Sequence, residues 1–396
     1  MSRQLSSWLD GYVKFCENSE PPQSYHVWNG VSTIAGTLQR KAYMKWGMST
    51  LYPNLYIVLV GPSGWAKKGT SIEFSRPFIK NVGAQVIEGA ITREKLIRRM
   101  GEAIMPIPDE TMGVTRFQCA ATFISAELAV FLGQHNIKLL ADLCDWYDCP
   151  NVWPYDTKGQ GTDILEGVCL NIQGAVAPEW LPAILPREAI GGGFTSRVIW
   201  VVEEGKQKTV PDPTIDSELQ KALANDLEKI FLISGEYKFT EETQRIYSDW
   251  YVKHDEDAAS GVYAIQDPKF AGYCGRRATL VKKLCMIVSA SEGDSLEITP
   301  DIFDKALKLM IFGEKKMARA FSGLGTARYA YATEQVLNFI ARHKTVTRSQ
   351  VLRYFFRDID DYTFDIVART LQKTGAIELT IPQGKDDVIL KLKEMM

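Results

Sequence analysis

An α/β fold with a mainly parallel sheet is predicted by three features of this 396-residue chain. Four apolar, β-rich runs, LYIVLVG, AATFISAE, GVCLNIQGAV and SRVIWVVE, fall between about 46 and 205 with helical stretches between them, the alternation that builds a parallel sheet covered by helices. Residues 206–325 then read almost wholly helical, a lid-like bundle after the charged link EEGKQKTVPDPTIDSE. The stretch 332–396 changes character: ATEQVLNFIARH, TRSQVLRYFF and DDYTFDIVARTLQKTG read as three helices, and IELTIP and DVILKLK as strands around the turn QGKD.

The elements follow from local signals. Residues 1–45 look helical: MSRQLSSWLDGYVKFCENSEPP is a short amphipathic helix ending at a proline turn, and SYHVWNGVSTIAGTLQRKAYM is a helix that packs beside the next domain. In 332–396 the second helix opens on a capping threonine and the third closes on glycine. Three helices and a hairpin are the pattern of a winged helix, whose third helix would read a groove. That helix carries Asp360, Asp361 and Asp365 beside only Arg369 and Lys373, so DNA contact, protein contact and a purely structural role stay open.

Composition sets bounds. The formal net charge of −2 confines any nucleic-acid surface to a local patch. No run of about 18 apolar residues occurs, so no membrane span is expected. Seven scattered cysteines suggest reduced thiols in a cytoplasmic protein, and four histidines support neither a structural metal nor a histidine-based triad.

The chemistry begins at GPSGWAKKGT, residues 61–70. A phosphate-binding loop of the form G-x-x-x-x-G-K-[ST] closes backbone N–H groups around phosphate, with the hydroxyl on magnesium. With Gly61 first, Pro62, Ser63, Gly64 and Trp65 form the loop, Ala66 replaces the second glycine, Lys67 is the lysine and Lys68 stands where the hydroxyl belongs. A shift of one residue makes Lys68 the phosphate lysine, followed by Gly69, and leaves Thr70 for magnesium; this register is favoured because it keeps a hydroxyl for the metal. An apolar strand before the loop and helical spacing over Thr70 to Ile79 supply the strand, loop and helix context of an ATP and Mg2+ site.

Hydrolysis needs further groups. Glu127 ends AATFISAE and would polarise water at the carboxyl edge of a parallel strand; its plainer role is to cap the following helix. Ala126 stands where an aspartate is usual. Asn171 or Gln173, polar residues in an apolar run, would face the crevice and bond the attacking water, Gln173 being favoured as nearer the strand's end. Arg197, ahead of the last strand, would reach a neighbouring subunit's nucleotide as an arginine finger or sit in a surface ion pair. Arg276 and Arg277 would touch the γ-phosphate from the helical bundle.

Taken in order, GPSGWAKKGT, TFISAE, LNIQGAVAPEWL and GGGFTSRVIW resemble the AAA+ class and, within it, the superfamily 3 helicases, and are similar to P-loop proteins of phage and prophage replication regions. The resemblance covers roughly 25–320. It implies a hexameric ring acting on single-stranded or forked DNA, and a hairpin whose tip lysine grips the DNA backbone. NVWPYDTKGQGTDILEGVCLNI is the corresponding stretch, with Lys158 at the tip and Tyr155 or Trp153 near it for base stacking. The expected function is an ATP-driven helicase or translocase, or else an ATP-switched loader or scaffold for other replication proteins. The expected domains are 1–45, 46–205, 206–325 and 332–396.

Overall fold

The computed structural model describes residues 3–109, 114–157, 161–186, 189–321, 329–380 and 387–393. The chain forms two compact units, Met1–Ala318 and Arg319–Met396, so the stretches 1–45 and 46–205 and nearly all of 206–325 share one body.

In that body α1 (Trp8–Phe15) buries Trp8, Tyr12 and Phe15 from one face, and Ser7 caps it. After Pro21 and Pro22, α2 (Gln23–Leu38) is buried on nearly every side, the mark of a helix inside a core. It ends earlier than its sequence suggests. Gln39 turns left-handed with φ 54°, and the expected helical residues 42–44 instead enter β1 (Ala42–Trp46), which turns at Gly47 into β2 (Ser49–Leu51).

The central sheet follows. β3 (Tyr56–Val60) is buried at all five positions, as a strand covered on both faces must be. Then come α3 (Lys68–Asn81), β4 (Val86–Glu88), α4 (Arg93–Glu102), β5 (Ile104–Asp109), β6 (Val114–Ser125), α5 (Leu128–Leu132), α6 (Ile137–Tyr147), the hairpin of β7 (Val152–Thr157) and β8 (Gly161–Glu166), β9 (Val168–Val176), α7 (Leu181–Ile184) and β10 (Val198–Val202). The strand order is β10-β3-β9-β6-β4, all parallel, with β5 antiparallel along the first half of β6. The four apolar runs of the sequence are β3, β6, β9 and β10.

The helical stretch consists of α8 (Ser217–Leu232), β11 (Gly235–Glu236), β12 (Lys238–Phe239), α9 (Glu241–Ala259), α10 (Ala271–Cys274), α11 (Arg277–Glu292), β13 (Glu297–Ile298) and α12 (Pro300–Glu314). α8 and α11 pack on α1 and α2, and α12 reaches β10. Among the described residues no helix is long and apolar enough to cross a membrane.

The second unit holds α13 (Ala330–His343), β14 (Thr345–Thr347), α14 (Arg348–Tyr354), α15 (Asp361–Lys373), β15 (Ile377–Thr380) and β16 (Ile389–Leu392). Its antiparallel sheet runs β14-β16-β15. Thr347 and Gln350 form a reciprocal capping box at α14, and Val336, Ile340, Val351, Phe364, Val367, Leu371 and Leu390 fill the core.

Candidate nucleotide-binding site

The 61–70 loop leaves the carboxyl edge of β3, and its first glycine is obligatory. A Cβ at Gly61 would lie 2.5 Å from the Tyr25 hydroxyl and 2.6 Å from the Glu203 carbonyl. Tyr25 also donates to Val60 O at 2.7 Å, so α2 pins the end of the strand. Gly64 turns left-handed at φ 68° with open space around it. Lys67 is left-handed too, at φ 56°, and α3 begins after it with no side-chain cap. The N–H groups of the first helical turn thus have no intrahelical partner and face the loop with the positive end of the helix dipole.

The two lysines diverge. Lys68 is 9% exposed, and its Nζ folds into the loop to donate to Gly61 O and, at 3.2 Å, Pro62 O. Burial draws its pKa below the ordinary lysine value, opposed by the charges of Glu179 and Glu127. Lys67 points away and pairs with Glu20 at 3.2 Å. Glu20 also accepts from Lys206 at 2.7 Å, and mainly through that bond its carboxyl is lowered to about 2. Lys206 lies 5.8 Å from the exposed Trp65 ring. Lys68, not Lys67, is therefore the lysine whose ammonium group lies within the loop. Thr70 is exposed in the first turn of α3, and its hydroxyl has no partner among the described residues.

Two carboxylates act on Lys68. Glu127 is exposed two residues beyond β6 and stands at the N-cap position of α5, its side chain making no capping hydrogen bond there. β9 lies between β3 and β6, with Gly174 beside both Val58 and Ser125. Two strand spacings, about 9.6 Å, therefore separate the loop strand from the Glu127 strand. Next to Glu127, Ala126 lies 3.9 Å from where a Cβ on Gly69 would stand. Glu179, which follows β9, was not foreseen; it is the larger charge influence on Lys68. Its sequence signal is faint, a carboxylate in APEW just past an apolar run.

Other expected residues lie elsewhere. Asn171 and Gln173 are two apart, so they face the same side of β9, and both are buried. Asn171 accepts from Leu55 N and donates to Ser32, while Gln173 donates to Asn29 Oδ1 and Ser75 Oγ, both at 2.7 Å. They tie β9 to α2 and α3, and neither faces the crevice.

Arg197 lies just before Val198, which pairs with Tyr56 at the opening of β3. It thus sits a strand length, about 16 Å, from the loop in its own chain. Its guanidinium bonds Asp148 at 2.6 Å and Gly193 O at 2.8 Å. Arg276 joins it at this edge, donating to Ser196 Oγ at 3.3 Å. Arg277 is buried in a two-point pair with Glu314 at 2.7 and 3.1 Å. Neither reaches the loop, because both begin α11 beside the opposite edge of the sheet.

The hairpin pairs from Val152 with Glu166 to Thr157 with Gly161; Lys158 lies outside the described residues. Tyr155 is already occupied. Arg93 donates to its hydroxyl at 3.1 Å and lies 4.8 Å from its ring, while Trp153 stacks on it at 6.0 Å.

No family model matches the chain, and a search of curated proteins finds no significant match.

Proposed function

We propose that the chain is an ATP-driven, ring-forming DNA translocase or helicase of an AAA+-like P-loop class, with a winged-helix C-terminal unit. The observation that carries this reading is Lys68 folded into a glycine loop at an uncapped helix N-terminus, with Glu127 across the intervening strand. Such a site suits a polyphosphate. Ser63, Gly64, Lys67, Lys68 and Gly69 would offer backbone N–H groups to the phosphates, and Thr70 would offer its hydroxyl to Mg2+. Bound magnesium would neutralise charge on the phosphates.

The chain's own groups supply the rest. Lys68 would exchange the Gly61 and Pro62 carbonyls for phosphate oxygens. Glu127 would orient water and take its proton, and Glu179 would help set the charge around Lys68. Arg197 is too far from its own loop to help it, which supports a role at a neighbour's site once it gives up Asp148. The hairpin around Lys158 would follow DNA.

The test is steady-state ATP turnover with and without single-stranded DNA. Glu127→Gln should lower turnover by about 100-fold or more, and Lys158→Ala should remove only the DNA stimulation. Ala126, where an aspartate is usual, favours a second reading, an ATP-switched loader. Turnover indifferent to both DNA and Glu127→Gln would replace the motor with that loader.

A further inference from the structure

The C-terminal unit separates its charges. From Phe339 to Arg357 the chain carries Arg342, Lys344, Arg348, Arg353 and Arg357, with His343, and no Asp or Glu. Asp358, Asp360, Asp361 and Asp365 follow within eight residues. Arg348 turns toward this acidic group, 2.7 Å from Asp361 and 3.0 Å from Asp365, and Asp360 caps α15 through Thr363 N at 2.8 Å. The helix that would enter a duplex groove therefore opens on carboxylates, which repel phosphate. Arg342, His343, Lys344, Arg353 and Arg357 remain exposed.

Aromatic rings stand among these cations. Phe339 lies 4.6 Å from the His343 ring and 4.7 Å from Tyr354, and Arg357 lies 5.2 Å from the Phe356 ring. Tyr354 is 66% exposed and Phe356 70%. A cavity of about 420 Å³ opens between α13 and α14, lined by Phe339, His343, Gln350, Arg353 and Tyr354 among others. Asp387 accepts from Ser349 N at 3.1 Å at the start of α14, yet Arg342, Lys344, Arg353 and Arg357 leave an excess of positive charge that selects a polyanion, and exposed flat rings select one whose bases are unpaired. A duplex hides its bases in the stack and would leave the exposed faces of those rings without a base to stack on.

We propose that the face built by the end of α13, by α14 and by the turn that follows it binds single-stranded nucleic acid. Tyr354 and Phe356 stack on bases, Arg342, Arg353 and Arg357 hold phosphates, and α15 makes no groove contact. From the motor reading this takes only that the chain works on nucleic acid.

The test uses the full-length protein and fluorescence anisotropy with a labelled oligothymidine of about 20 nucleotides, enough for one such site. Tyr354→Ala should weaken binding about tenfold or more. Arg353→Ala should weaken it and flatten the log–log salt slope by about 0.7. Arg369→Ala combined with Lys373→Ala on α15 should leave it unchanged, and a blunt duplex should compete poorly. Crosslinks from a bromodeoxyuridine strand should fall on peptides containing His343 or Tyr354, and equal binding of an oligouridine would extend the proposal to RNA. The proposal is overturned if Tyr354→Ala and Arg353→Ala bind like the wild type, if crosslinks fall only in the 152–166 hairpin, or if duplex competes equally and the α15 variant loses binding. Failure of the wild type to bind oligothymidine would overturn the motor reading as well; DNA-stimulated turnover with normal binding by Tyr354→Ala would overturn this proposal alone.

Discussion

His26 shows how a single residue in the α2 layer sets a pH response. Its Nε2 lies 2.9 Å from Ser19 Oγ, and Ser19 spends its only hydroxyl hydrogen on Cys16 O, so the imidazole Nε2 is the donor in this pair. Burial lowers its pKa from 6.5 to about 4. The unfolded chain therefore binds the extra proton first as pH falls. The stability from the neutral ring is complete above pH 6.5 and drains away as pH drops toward 4, by up to about 3 kcal/mol. Urea unfolding at pH 7, 5.5 and 4.5 should show this limb, and His26→Gln should flatten it.

At the scale of elements, buried polar pairs lock neighbours together. Arg277 on α11 and Glu314 on α12 form a buried ion pair. Removing one partner, as in Glu314→Gln, should cost about 3–5 kcal/mol in chemical unfolding, because it strands a buried guanidinium. Replacing both with apolar residues of like volume, Arg277→Met with Glu314→Leu, should cost far less. Such pairs explain which elements were legible. β3, β6, β9 and β10 stand out as apolar runs, whereas β4 and β14 have three residues each and β5 contains Pro106 and Pro108, which hide a strand from pattern reading. The partners of Gln173 come from Asn29 and Ser75, and that of Arg277 from Glu314, all far along the chain. Their residue types alone looked like site chemistry. Lys68, Glu127 and the loop were readable because strand, glycine and helix are adjacent in sequence; Glu179 gave no periodic signal.

At the scale of the whole molecule, the loop and Arg197 occupy opposite edges of one sheet. In a head-to-tail ring each site would join one subunit's loop to the next subunit's arginine. Lys68→Ala and Arg197→Ala should each be inactive alone, and an equal mixture should regain about a quarter of wild-type turnover, since half the loops meet half the arginines at random. No recovery on mixing would place both groups in one chain's site or leave Arg197 as the surface ion pair it makes with Asp148.

The most direct measurement is calorimetric titration of the purified protein with ATP and Mg2+, for the wild type, Lys68→Ala and Lys67→Ala. The account predicts one nucleotide per chain, loss of at least about tenfold in affinity for Lys68→Ala, and near-normal binding for Lys67→Ala, whose lysine faces Glu20. Equal binding by the wild type and Lys68→Ala, or no binding by any of the three, would contradict it.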